Sequence, residues 1–400
     1  MRRVLIFSLT YHPYVGGAEV AIKEITDRMG ADEYSFDMIT LRFDRRLPRQ
    51  EVLGNVTVHR IGLAANAPKI SERAMPLRCK VAKALFPITS FLKALSLHRA
   101  RGYDIVWAMM ANQAGFGALL FKITHPRIPY FLELQDGRSL EGIKARRPLV
   151  RVLYPLYRSV YTRADRIKTI SRYIAALARE VGYRGPLEVI PNGVDVERFS
   201  ANIPEEQLAA LKSRLEIRLG DIVLFTASRL VLSRGVEDVI LALTHLPLEV
   251  KLLIAGDGED RAKLETIARE AGVESRVIFA GHVDHDELPA YFKVSDVFVR
   301  PSLIEGMGNA FVEAFAAGIP VVATPVGGIP DFLTDGETGV FCKVHDPESV
   351  ARAVKRYMDD PALLAKVVKN AKALAAQKYD WDLIAKSMRE RIFKPLLSNK

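Results

Sequence analysis

Pro301-Ser302-Leu303-Ile304-Glu305-Gly306-Met307-Gly308-Asn309-Ala310-Phe311-Val312-Glu313-Ala314 joins an apolar strand to a helix through a glycine-flanked loop. Val297–Val299, just before it, has the composition of a short buried strand, and Asn309–Ala317 has the spacing of a helix. A strand that feeds a helix through a glycine-flanked loop is the repeating step of a parallel sheet covered by helices. Glu305 falls in the loop and Glu313 about one turn into the helix. Carboxylates accept hydrogen bonds from vicinal hydroxyls, so a pair beside N–H-rich backbone suits a sugar and a ribose. The amides of Gly306, Met307, Gly308 and Asn309 suit phosphate or hydroxyl oxygens.

The same alternation extends outward in both directions. Strands are expected at Val4–Ser8, Phe36–Thr40, Val56–Arg60, Ile105–Ala108, Tyr130–Leu134, Arg166–Thr169 and Leu187–Ile190, and again at Ile222–Ala227, Val250–Ala255, Val277–Ala280, Val297–Val299, Val321–Ala323 and Val340–Phe341. Helical patterns fill the gaps, among them Ala18–Met29, Ile174–Val181, Glu237–Leu243 and Arg261–Glu270. Pro191-Asn192-Gly193-Val194-Asp195 reads as a hinge between two doubly wound α/β domains, which is also what 400 residues predict.

Hydrophobic residues at 49% and charged residues at 26% exclude a disordered chain. The apolar run Val4–Phe7 is too short for a secretory signal, and no stretch is long enough to span a bilayer. Two distant cysteines, Cys79 and Cys342, offer no disulfide framework and point to a cytoplasmic protein. The net charge of +10 is uneven: residues 1–195 hold 31 Lys and Arg against 17 Asp and Glu, the remainder 26 against 30. Such asymmetry points to an anionic partner for the first half. Leu77–Arg101 and Gly142–Arg166, the latter with Arg146, Arg147, Arg151, Arg158, Arg163 and Arg166, mix basic with apolar residues, as a surface docking on anionic lipid would.

Three more loops carry candidate chemistry. Pro13-Tyr14-Val15-Gly16-Gly17-Ala18-Glu19 opens the first helix with two bare backbone amides, a place for an anion or a plain tight turn. Ser228-Arg229-Leu230-Val231-Leu232-Ser233-Arg234-Gly235 follows the first strand of the second half, where doubly wound domains bind ligands; two guanidiniums there suit a diphosphate. Thr324-Pro325-Val326-Gly327-Gly328-Ile329-Pro330-Asp331 is a further glycine-rich loop that should border the same crevice. Gly256-Asp257-Gly258 ends a strand in a turn, and His282 follows another strand where it would line a nucleotide pocket. The sequence holds no G-x-G-x-x-G, P-loop, G-x-S-x-G or metal-ligand spacing, which argues against nicotinamide or flavin enzymes, ATPases, serine hydrolases and metal sites.

Together these blocks resemble the family 4 retaining glycosyltransferases of GT-B fold: the GGAE loop, PNGVD at 191–195 followed by Phe199, the Arg229 loop, Gly256–Gly258, the Glu-x7-Glu block, GIPVVA at 318–323 and DGETG at 335–339. The resemblance implies two Rossmann-like domains facing across a cleft, 1–195 plus about 381–400 on the acceptor side and 196–380 on the donor side, with the C-terminal helix crossing back. It implies that Arg229 and Arg234 bind the donor diphosphate, that Glu305 and the amides after it hold the donor sugar, and that Glu313 binds the ribose. Gly258 and His282 would border the nucleotide, and Gly16 and Gly17 the donor phosphate and acceptor. No cofactor or metal is expected beyond the nucleoside-diphosphate sugar, and the acceptor would be a glycan or a lipid-linked glycan.

This chain departs from the family pattern twice. Arg234 stands where lysine is usual, exchanging a compact ammonium for a planar fork. Gln135-Asp136 stands where a His-Asp pair is usual, and Gln135 cannot titrate. The expected reaction is retaining transfer of a hexose, with cations and helix N-termini stabilising the departing phosphate. Rival readings are a catalytically silent nucleotide-sugar-binding subunit, motivated by Gln135, and a GT-B epimerase. A nucleic-acid-binding role has no motif behind it.

Overall fold

A computed structural model describes residues 1–66, 75–146 and 152–398. Arg147 and Arg151 of the basic run lie outside the described residues. The chain divides into two compact units, Met1–Asn192 with Trp381–Lys400, and Gly193–Asp380. The change of unit thus falls inside the PNGVD segment.

The first unit is built on an eight-stranded sheet of order β3-β4-β2-β1-β5-β6-β7-β8. Its strands are β1 Arg2–Phe7, β2 Tyr34–Leu41, β3 Gln50–Leu53, β4 Val56–Ile61, β5 Ile105–Met109, β6 Tyr130–Leu134, β7 Arg166–Thr169 and β8 Leu187–Val189. All neighbours pair parallel except β3 with β4. β5 and β6 are buried at all five positions, which is why they read as apolar runs interrupted only by Glu133. β3 was missing from the sequence expectations. It is a half-exposed edge strand, Gln-Glu-Val-Leu, with no alternation of polarity, and its one signal is the two-residue Gly54-Asn55 turn into β4.

The C-terminal residues belong to this unit. Trp381, Ile384, Met388, Ile392, Phe393 and Leu396 share one buried core with Ile22, Ile25, Tyr34, Phe36, Trp107 and Phe131. The Phe393 ring lies 5.4 Å from those of Tyr34 and Phe131 and 6.0 Å from that of Trp107, and Arg28 ties the start of the segment through Asp382 at 2.7 Å.

The second unit holds a wholly parallel six-stranded sheet, order β11-β10-β9-β12-β13-β14. The strands are β9 Ile222–Ala227, β10 Val250–Ala255, β11 Val277–Gly281, β12 Val297–Arg300, β13 Val321–Ala323 and β14 Val340–Phe341. The helices Arg261–Glu270 and Asn309–Ala317 have the expected bounds. Strand order reverses between β9 and β12, which pair directly through Val297–Leu224 and Phe298–Phe225. In open α/β sheets this reversal is where ligands bind, because the loops leaving the two strands diverge there.

Candidate active site

The loops leaving β9 and β12 carry the arginines and the first carboxylate. Glu305 is nearly buried, and its Oε2 accepts from Arg234 Nη1 at 2.7 Å and from Arg300 Nη2 at 2.7 Å. Arg300 ends β12 and is itself buried. Its Nη1 donates to the Ala227 carbonyl at 3.2 Å, and its guanidinium lies 4.3 Å from the centre of the Phe311 ring. Burial pushes the Arg300 pKa below the ordinary guanidinium value, while the Glu305 carboxylate and, more weakly, Glu313 pull it back up. From its place between apolar residues and glycine, Glu305 has few structural uses. The structure gives it one, as the hub of a two-arginine ion pair, and Arg300 is the member of that hub that sequence reasoning missed. An arginine at the end of an apolar strand was the available signal.

The pair of arginines therefore does not act as two equivalent free clamps. Arg234, in the short turn Leu232–Arg234, is already engaged by Glu305 and by the Ile304 carbonyl. Arg229 is exposed, and among the described residues no carboxylate pairs with it. Its loop is fixed by backbone bonds, Ser228 N to Ala255 O at 3.0 Å and Leu230 N to Asp257 O at 3.0 Å. Gly258 allows that fixation, since a Cβ there would stand 2.2 Å from the Leu230 carbonyl oxygen.

Gly327 does the same for Glu305. It adopts φ 57°, its added Cβ would fall 1.8 Å from the Glu305 carbonyl oxygen, and Gly328 N donates to that oxygen at 3.2 Å. The loop Thr324–Asp331 thus borders the Glu305 loop, as its position implied. Gly327→Ala is expected to cost about 1–3 kcal/mol in strain and to displace the Glu305 backbone. A thermal melt with a donor titration checks this, and a variant matching the parent in both would mean that the contact is not tight.

Glu313, buried on the helix Asn309–Ala317, accepts from His285 Nε2 at 3.2 Å through its Oε1. That histidine's ring packs on Phe199 at 5.7 Å, and its carbonyl accepts from Arg198, whose backbone N–H is held in turn by the capping side chain of Asp195. His282, the histidine expected at the nucleotide, instead stands in solvent at 80% side-chain exposure, 3.5 Å from Asp284. The strand ends at Gly281, and it is His285, in the turn after it, that reaches Glu313. The helix beneath begins with Gly308 at its N-cap, which has no side chain to cap the first amides; Met307 is buried and the Gly306 amide donates to Glu305 Oε1 at 3.1 Å.

In the first unit the Gly16 amide is not open to a ligand. It donates to Glu19 Oε2 at 2.9 Å, and Thr10 donates to Glu19 Oε1, so the glutamate of GGAE closes a capping box on its own helix, Gly17–Asp27. Burial raises the Glu19 pKa, and the bonds from Thr10 and Gly16 oppose it. Gly17 is exposed. Gln135 Nε2 donates to Glu133 Oε1 at 2.7 Å, and Asn192 Nδ2 donates to Gln135 Oε1 at 3.0 Å. Glu133 is also paired with the fully buried Lys168 at 2.5 Å. Asp136 is bound bidentately by Arg138, at 2.5 Å for the shorter contact. A cavity of about 50 Å³ opens beside these groups, lined also by Asn112, Tyr157 and Tyr161. Neither Lys168 nor Asn192 was singled out from the sequence for these contacts, because the pairings span 35 and 57 residues.

Both cysteines are buried and free. Among the described residues no group of three His, Cys, Asp or Glu side chains could hold a metal ion, and no helix is long and apolar enough to cross a membrane.

Comparison with known proteins agrees with this layout. Residues 16–193 match the family model described as glycosyl transferase 4-like domain, and residues 209–374 the one described as glycosyl transferases group 1. An uncharacterized glycosyltransferase of Methanocaldococcus jannaschii is 27% identical over 96% of both chains. Among solved structures, sucrose-phosphate synthase from Thermosynechococcus elongatus superposes with a TM-score of 0.82 at 21% identity over the whole of both chains. Anabaena HepE, solved with UDP-glucose, gives 0.78 at 21% identity over 98% of this chain and all of its own. With one model on each half, and the two-unit parallel α/β architecture between them, the chain belongs to the family 4-like glycosyltransferases of GT-B fold, enzymes that use nucleotide sugars.

Proposed function

We propose that the protein moves a hexose-type sugar from a nucleoside-diphosphate sugar to a glycan or lipid-linked acceptor with retention at the anomeric carbon. The observation that carries this is the Glu305 carboxylate held between Arg234 and Arg300 where strand order reverses, next to exposed Arg229 and a helix N-terminus without a side-chain cap. Those cations and amides meet the charge that grows on the departing phosphate, a role that requires no metal ion. Glu313, steadied by His285, suits the ribose hydroxyls. The acceptor hydroxyl attacks the face the phosphate leaves, and the phosphate takes its proton. Gln135 and Asp136, beside the small cavity of the first unit, are the acceptor-side groups. The basic first half meets an anionic membrane surface at which a lipid-linked acceptor is presented, with the protein peripheral on the cytoplasmic face.

Thermal denaturation with UDP-, GDP- and ADP-sugars tests the donor assignment. One of the three is expected to raise the melting temperature, by the equivalent of about 2.7 kcal/mol at a hundredfold excess over Kd. No shift with any of them removes the donor site. A shift without transfer to any glycan or lipid-linked acceptor favours a silent binding subunit, which the engagement of Gln135 by Glu133 and Asn192 would accommodate.

A further inference from the structure

The helix Leu77–Arg101 is apolar on both sides. Its inner side, including Cys79, Phe86 and Leu97, is buried and packs on the helix Gln113–Thr124. On its outer side Leu77, Val81, Leu85, Ile88 and Leu92 are 41–76% exposed. Steps of four and three residues keep these five in line, a ridge about 22 Å long at 1.5 Å per residue. Single exposed aliphatics are ordinary on a protein surface, but a contiguous row marks an interaction site. A helix with no polar face is at home only where both sides are covered.

Charge identifies what covers the outer side. None of the 25 residues of this helix is acidic. Arg78, Lys80, Lys93 and Arg99 flank the ridge and form no ion pair among the described residues. A second copy of the chain seated on the ridge would set these cations against their own kind. An anionic bilayer satisfies both features at once, since its acyl boundary accepts the aliphatics while its phosphates meet the long basic side chains, which reach outward from the apolar strip.

We infer that the outer face of Leu77–Arg101 is a membrane-docking ridge, with Leu85, Ile88 and Leu92 seated below the headgroups of an anionic bilayer and Arg78 and Lys80 on its phosphates. This rests on the proposed membrane-presented acceptor for its purpose, while the docking itself is measured without turnover.

The test is sedimentation of the full chain with vesicles of phosphatidylcholine alone and of phosphatidylcholine mixed with phosphatidylglycerol, at low and high salt. The parent protein is expected on the anionic vesicles only. The triple variant Leu85→Ser, Ile88→Ser, Leu92→Ser should lose at least about tenfold in partition, and the pair Arg78→Glu, Lys80→Glu should lose about tenfold at low salt and little at high salt. Melting temperatures and donor-induced shifts should match the parent in both, because every substituted side chain is exposed. A parent that ignores anionic vesicles, or a triple variant that binds like the parent, overturns the ridge. So does a triple variant that changes only the oligomeric state. Vesicle binding without any donor-induced shift would leave the ridge standing and remove the donor assignment instead.

Discussion

Arg300→Met is expected to lower the unfolding free energy of the second unit by about 3 kcal/mol, the low end for breaking a buried ion pair. The low end applies because Arg234 still reaches Glu305 after the substitution. The loss is large because Glu305 and Arg300 are both nearly buried, so the carboxylate cannot turn to water for compensation. Methionine fills the space beside Phe311 but offers no donor to Glu305 or to the Ala227 carbonyl. Glu305 then draws more tightly on Arg234, leaving that guanidinium less available to phosphate. The donor KM should rise about tenfold, the equivalent of one charge-assisted hydrogen bond. Arg300→Lys, which keeps the charge and loses the fork, should recover part of the stability. Denaturant melts and donor titrations of the two variants check this; a methionine variant as stable as the parent would show that the Arg300–Glu305 pair is not a structural hub.

Arg229→Ala should do the reverse. The side chain is exposed and unpaired among the described residues, and its loop is held by backbone bonds. Its removal should leave the melting temperature within experimental scatter. Turnover should fall about 10²–10³-fold, the usual cost of deleting one group that meets charge developing in a transition state. Donor binding should suffer much less, because a ground-state diphosphate keeps Arg234 and the helix amides. Arg229→Lys should restore some of the rate, as a point charge without bidentate geometry. Steady-state kinetics with the cognate donor decide the matter, and an unchanged kcat in the alanine variant would remove Arg229 from the reaction. Together the two substitutions separate a residue that organises the site from one that acts in it.

How far a residue was legible depended on how local its partners are. β5 and β6 could be read because every side chain in them is buried and all but Glu133 are apolar, and the helix Asn309–Ala317 because its pattern and its glycine boundary lie within one window. Glu305 and Glu313 were legible as a pair for the same reason. What joins Glu305 to Arg234 is a contact across 71 residues, and what joins Gln135 to Asn192 spans 57. Such contacts leave no periodic trace, and Lys168, 35 residues from Glu133, passed as an ordinary strand charge for that reason. Arg300 lies only five residues from Glu305, but the irregular loop between them has no period from which the contact could be read. His282 and His285 are separated by a single turn, and only the backbone path after Gly281 decides which imidazole reaches Glu313. The edge strand β3 was lost because a half-exposed strand has too few apolar residues to declare itself.

The placement of Phe393 and its neighbours bears on the order in which the protein matures. Synthesis delivers Trp381–Leu396 after the whole of the second unit, yet these side chains complete the core around Tyr34, Trp107 and Phe131. While the ribosome is still making the second unit, the first has a sheet but no lid for that face, and its aromatics stay open to chaperones or to one another. Emergence of residues 381–396, rather than of residue 192, is the moment at which the amino-terminal unit can complete this core.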